Sequence, residues 1–175
     1  KKFKGQVNIT LVDRNSYHLF LPALYEVASA YDINKDSFAT KMRKTICIPY
    51  GEIFADKNIN FIQAEIFAVD LKARSVKTRG GEILFYDYLV IGLGSQTSDF
   101  GIPGVSEYAY QFKSINDALI INRKINELIG NLKESEDVNL KPIKIFVCGG
   151  GFTGVVLIAE IACCAKKISK THHLK

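Results

Sequence analysis

Apolar residues recur along this chain with two periods. Residues 7–13 form a short β-branched run closing on Asp13, which predicts a strand. Residues 58–66 predict another. Residues 67–71, 75–78 and 82–85 alternate, with Gly80-Gly81 between the last two, so they predict a β-meander or hairpin. Residues 86–91 and 143–148 are continuous apolar runs and predict buried strands. A helical period fits residues 23–30 and residues 37–46, the latter capped by Asp36 or Ser37. It also fits residues 114–129, with Ser114 as N-cap and Asp117 three positions on. The stripe there is Ile115, Ala118, Leu119, Ile121 or Asn122, Ile125, Leu128 and Ile129, with Gly130 ending the helix. Residues 131–141 read as a polar surface loop and residues 101–104 as a turn. From Phe152 the chain turns helical again. Val155, Leu157, Ile158 and Ile161 give it apolar faces, and Ala159 and Ala162 are small helix formers. Strands interleaved with helices make this an α/β chain.

Composition narrows the class. The 175 residues suffice for one ordinary domain or two small ones. No apolar run is long enough for a membrane span. A net charge of +5, on lysines without aromatic interleaving, argues for solubility and against a nucleic-acid partner. Cys47, Cys148, Cys163 and Cys164 form no C-x-x-C pair and no zinc spacing, so no metal site is expected. Cys148 is expected as a small hydrophobe in the buried strand, and a reducing compartment suits the set. Lys1 is no initiator and the sole methionine is Met42, so both ends look cut. No signal peptide is visible. The basic, polar C-terminal stretch stops without a cap or a further strand.

The candidate chemistry begins at Gly149, Gly151 and Gly154, which fit G-x-G-x-x-G at a strand-to-helix junction. Gly149 allows the tight turn, Gly151 lets the backbone approach a pyrophosphate, and Gly154 lets the helix pack closely. The helix N-terminus presents N–H groups to the phosphates. Asp13, an acid ending a strand, suits the adenosine ribose of a dinucleotide. Such an acid follows its own glycine motif by about 20 residues. The 12 residues before Asp13 hold none, so that loop is expected upstream of Lys1. His18 lies in an aromatic stretch and suits either a ligand or a structural role.

Three stretches carry a resemblance. Residues 13–22 (DRNSYHLFLP), 86–97 (YDYLVIGLGSQT) and 147–155 (VCGGGFTGV) resemble, in order and spacing, type II NADH:quinone oxidoreductases of the pyridine nucleotide-disulfide oxidoreductase superfamily. The resemblance implies a two-dinucleotide-binding-domain flavoprotein truncated at both ends. A Rossmann-like FAD domain with its β-meander would occupy residues 1–106, and an inserted NADH domain would begin at 107–175. It implies two cofactors, FAD and NADH. Asp13 would hold the FAD ribose with Arg14 beside it, the backbone near Ile66 would meet the adenine, and Gly94 and Ser95 would close over the flavin. His18 would lie near the flavin, and Gly149, Gly151, Phe152, Thr153 and Gly154 would take NADH. Hydride would pass from NADH to flavin and electrons onward to a quinone. The protein would be peripheral on the cytoplasmic side of the plasma membrane, held by a C-terminal part, and could form a homodimer. Two positions depart from the family. Leu93 stands where it usually has Thr, and Val156 replaces a Glu implicated at the nicotinamide and proton-handling site. The catalytic residue is therefore unassigned. Glu160 matches the family's second acid.

Two alternatives remain. A sulfide:quinone oxidoreductase or other pyridine-nucleotide flavin oxidoreductase shares the scaffold, but sulfide chemistry needs cysteines against the flavin, and Cys148 sits before the glycine loop. A non-catalytic nucleotide-binding relative is the other, supported by Val156.

Overall fold

The computed structural model describes residues 7–31, 37–134 and 142–172. They fall into two compact units. One takes the residues up to Leu19 and Cys47–Ser95, the other Phe20–Ile46 and the residues from Gln96 on.

The first unit is built on a parallel pair, β1 (Ile9–Asp13) and β4 (Ile59–Gln63), in register from Ile9↔Ile59 to Asp13↔Gln63. A parallel pair requires a crossover. Within this unit the crossover includes β2 (Tyr17–Leu19), antiparallel to β3 (Cys47–Pro49), and α3 (Tyr50–Phe54). The sequence pattern left β3 and α3 unread, since three and five residues are too few for a period to show.

The stretch read as one strand over residues 58–66 is two. Ala64 N–H donates to the Asp13 carbonyl, while Arg79 N–H donates to the Glu65 carbonyl. The chain therefore leaves the β1 partner at residue 64 and joins a second sheet one residue later. That sheet is the predicted meander: β5 (Ile66–Asp70), β6 (Ser75–Thr78) and β7 (Ile83–Phe85), all antiparallel. Its first turn is closed by the Asp70 carboxylate, which accepts the Lys72 and Ala73 N–H groups at 2.9 Å each. The second turn uses Gly81 at φ +87, a conformation glycine adopts without steric cost.

The second unit is helical. A 3-10 turn at Leu21–Ala23 leads into α1 (Leu24–Ser29), whose residues other than Glu26 are buried. Helix α1 packs on α5 (Ile115–Glu134) and α6 (Phe152–His172), and also touches α2 (Ser37–Ile46). The core is Leu24, Val27, Ala28, Ile46, Ile115, Ala118, Leu157, Ile161 and Ile168. Residue 122 is half-buried on the stripe, and its polarity has a purpose. Asn122 and Asn126 donate to the Ala30 carbonyl just past the end of α1, satisfying an acceptor the helix ladder leaves open. The other short helix is α4 (Val105–Tyr108), entered through Gly104 at φ +84.

The N-terminus of α5 is a reciprocal cap: Asp117 N–H donates to Ser114 Oγ at 3.2 Å, and Ser114 N–H to Asp117 Oδ2 at 2.8 Å. Its end differs from expectation. Gly130 does not stop the helix, which continues to Glu134. A glycine inside a helix costs about 1 kcal/mol against alanine, an amount that the packing of a long amphipathic helix offsets. Residues 131–134, expected as loop, are therefore helical, and residues 135–141, like the expected cap Asp36, lie outside the described residues. The polar C-terminal stretch is helical through His172.

Two predicted strands are absent. Residues 86–91 and 143–148 pair with no strand among the described residues. Nor are they buried: Tyr88 is 95% exposed, Val90 91% and Phe146 83%. Cys148, expected inside a strand, is exposed. An apolar run specifies what a strand could bury, but strand structure also needs a neighbour for its N–H and C=O groups.

Candidate nucleotide-binding site

In the second unit, the glycine loop joins residues 143–148 to α6. Gly149 turns at φ +117, where a side chain would be strained. Gly154 lies on the first turn of the helix. A Cβ there would sit 1.9 Å from the Gly149 carbonyl oxygen, so the loop folds back onto the helix only because residue 154 is glycine. Gly150 and Gly151 face open space, with nothing within 4 Å of where a Cβ would be. The first helical hydrogen bond at this end is Val155 N–H to the Gly151 carbonyl, 3.1 Å. The N–H groups of Phe152, Thr153 and Gly154 precede that ladder, and they carry the positive end of a long helix. Glycine backbone beside such an end fits a pyrophosphate. Phe152 and Thr153 are exposed, and the Phe152 ring meets Tyr25 edge-on at 6.5 Å. Val156 is half-buried.

On α6 the buried stripe is Leu157, Ile161 and Ile168, with Cys164 half-buried. Val155 and Ile158, read as apolar faces, point outward. Burial pushes the Cys164 thiol up, whereas its neighbour Cys163 is exposed.

In the first unit the site residues gather at the carboxyl ends of β1 and β4, where open parallel sheets bind ligands. Asp13 closes β1, half-buried. Its Oδ1 accepts the Asn15 N–H at 2.8 Å and its Oδ2 accepts the Tyr50 hydroxyl at 3.1 Å. Arg14 is exposed, and its carbonyl accepts Gln63 Nε2 at 3.2 Å. Ile66 follows β4 by three residues and is half-buried. These parts share one edge. His18 lies exposed in β2, opposite Ile48. Gly94, at φ +78, and Ser95 lie exposed in an irregular segment ending this unit.

Tyr50 is the residue that sequence reading missed. It stacks on Phe54 at 5.6 Å and leans on Phe61 at 4.8 Å. Burial, then the bond to Asp13, pushes its phenol up to about 12. It stays a donor throughout the neutral range.

A strand-end acid on a parallel pair, and a glycine turn locked under a helix, are features of the Rossmann-like α/β class of folds. The chain belongs to the pyridine nucleotide-disulphide oxidoreductase family, whose model matches residues 2–174. It is 33% identical over 156 residues to the type II NADH:quinone oxidoreductase of Staphylococcus haemolyticus, covering 89% of this chain and 36% of that protein. It resembles NDH2 from Plasmodium falciparum, solved with RYL-552 (TM-score 0.74, 27% identity) and with NADH (TM-score 0.69, 28% identity). Each match covers 98% of this chain and 35% of that one. The sulfide:quinone oxidoreductase of Aquifex aeolicus is similar over 71% of this chain and 27% of its own, at 30% identity and TM-score 0.58. The chain thus spans about a third of the length of the curated relatives it matches.

Proposed function

We propose that this chain carries the flavin-to-nicotinamide portion of an FAD-dependent NADH dehydrogenase that delivers electrons to a quinone. The observation that carries the reading is the loop in which Gly154 lies beneath the Gly149 carbonyl and Gly151 stands open. The relatives named for NADH and quinone support the choice of substrates. Residues 1–106 belong to the FAD domain and 107–175 to the NADH domain.

Bound FAD supplies hydride acceptance and onward electron donation. The residues of this chain bind and orient. Asp13 accepts hydrogen bonds from the FAD ribose with Arg14 at its side, and the Ile66 backbone meets the adenine. Gly94, Ser95 and His18 border the flavin. Gly149, Gly151, Phe152, Thr153 and Gly154 hold the NADH pyrophosphate through backbone N–H groups. Among the described residues no helix is long and apolar enough to cross a membrane. Contact with the quinone pool is peripheral, at the cytoplasmic face of the plasma membrane, and the protein is a homodimer.

Gly151→Val in the full-length protein tests the loop. The open space at Gly151 leaves folding intact, while the valine methyls stand where phosphate must approach. NADH affinity should fall tenfold or more, about 1.4 kcal/mol. Unaltered NADH titration in the folded variant removes the assignment.

The likeness to a sulfide:quinone oxidoreductase supports a second reading. Cys148 is exposed, but it adjoins the Gly149 turn, in the unit that does not hold Asp13. Reduction of the full-length flavoprotein by NADH and not by sulfide separates the two. Reduction by neither leaves the non-catalytic nucleotide binder.

A further inference from the structure

We propose that Tyr50 is a positioning residue for the adenosine ribose: with the Asn15 N–H, its hydroxyl holds the Asp13 carboxylate so that each oxygen keeps a lone pair for the vicinal diol. The inference rests on the assignment of Asp13 to the FAD ribose. An aspartate at a strand end has several staggered rotamers, and fixing one costs entropy. Here the two oxygens are held separately, Oδ1 by Asn15 N–H at 2.8 Å and Oδ2 by the Tyr50 hydroxyl at 3.1 Å. A carboxylate offers about four acceptor positions. Two are used, one on each oxygen, which leaves one on each. A vicinal diol supplies two O–H donors from adjacent carbons and matches that remainder.

Tyr50 does not depend on Asp13 for its own place. Its N–H donates to the Ser16 carbonyl at 3.0 Å, tying it to the loop after β1. Its ring lies flat on Phe54, with 10° between the planes, and tilts against Phe61 at 39°. The hydroxyl is therefore delivered by packing before any ligand arrives, and binding is spared the cost of ordering the acid. Tyr50 acts through Asp13 and is assigned no contact with the nucleotide.

The test measures FAD dissociation constants on the full-length apoprotein for wild type, Tyr50→Phe, Asp13→Asn and the double variant. Tyr50→Phe keeps the ring and its stacking and loses one hydrogen bond, so thermal melting should fall only slightly. FAD affinity should fall about tenfold, equivalent to about 1.4 kcal/mol. In the Asp13→Asn background the same change should cost less than twofold, because the acid that Tyr50 orients is gone. An FAD analogue carrying 2′-deoxyadenosine gives a second readout. The ratio of FAD to analogue affinity, read within one variant, should be smaller in Tyr50→Phe than in wild type even if the variant melts lower. Equal losses in both Asp13 backgrounds overturn the inference in favour of a merely structural tyrosine. Tighter FAD binding by Tyr50→Phe overturns it too, since the hydroxyl would then be occupying the ribose position. If Asp13→Asn binds FAD as wild type does, the Asp13 assignment falls, and this inference with it. If Asp13→Asn is weak and Tyr50→Phe is not, only the inference falls.

Discussion

Val156 stands half-buried near the start of α6, between open backbone at Gly151 and the buried side chains of Leu157 and Ile161. The position is close enough to the loop for a side-chain carboxylate to accept from a ribose or amide or to relay a proton, and valine can do neither. Two effects oppose restoring an acid there. Partial burial without a partner disfavours the charged form. Glu160, half-buried one turn further, would repel it by a few tenths of a kcal/mol at i,i+4 spacing. Both act on stability, whereas ligand contact acts on NADH. Val156→Glu in the full-length protein is therefore expected to lower the melting temperature slightly and to speed or tighten flavin reduction by NADH in stopped flow. Rates equal to an already fast wild type would show that the chain handles NADH without that acid.

Among elements, the glycine loop shows how local spacing becomes geometry. Gly149 is set apart by its φ of +117, Gly151 by open space at an ordinary φ, and Gly154 by what it excludes. Gly154→Ala places a Cβ 1.9 Å from the Gly149 carbonyl oxygen, and the obstacle is backbone, so the loop must shift. We expect a loss of about 1–3 kcal/mol, as for overpacking elsewhere, seen as a lower urea midpoint. NADH binding should weaken with it. Gly151→Val should separate the two, binding poorly at wild-type stability. The α5 cap was legible for the same local reason: Ser114 and Asp117 satisfy each other's N–H groups within one turn. Tyr50 was not, because its partner Asp13 lies 37 residues away and no periodicity links them. Gly130 misled because propensity is local and helix packing is not. Residues 58–66 misled because apolar residues recur to the end of the stretch while the hydrogen bonds change from β1 to β6.

At the scale of the whole molecule, residues 86–91 and 143–148 are written as buried strands yet stand exposed, without a strand partner among the described residues. Exposed apolar runs of this kind mark surfaces that another segment covers, and the curated relatives are nearly three times as long as the region they share with this chain. The expected outcome is a contrast in amide hydrogen exchange. In the 175-residue chain, the amides of residues 87–91 and 143–148 should exchange within seconds, while Tyr86, whose N–H donates to the Arg74 carbonyl, and β4, hydrogen-bonded to β1 in register, should be slower. In a protein of the relatives' full length the same two segments should become as protected as β4, because strand N–H groups gain protection only from a neighbour. The glycine loop depends on this. Gly149 begins its turn at the end of residues 143–148, so a segment without a strand neighbour holds the loop's origin less firmly than a paired strand would, and binding must then complete its ordering. NADH should accordingly bind more weakly to the isolated chain than to the full-length protein, in step with the loss of protection. Slow exchange at residues 143–148 in the isolated chain would show that the run finds a partner within these residues, and that the loop is set without help from outside them.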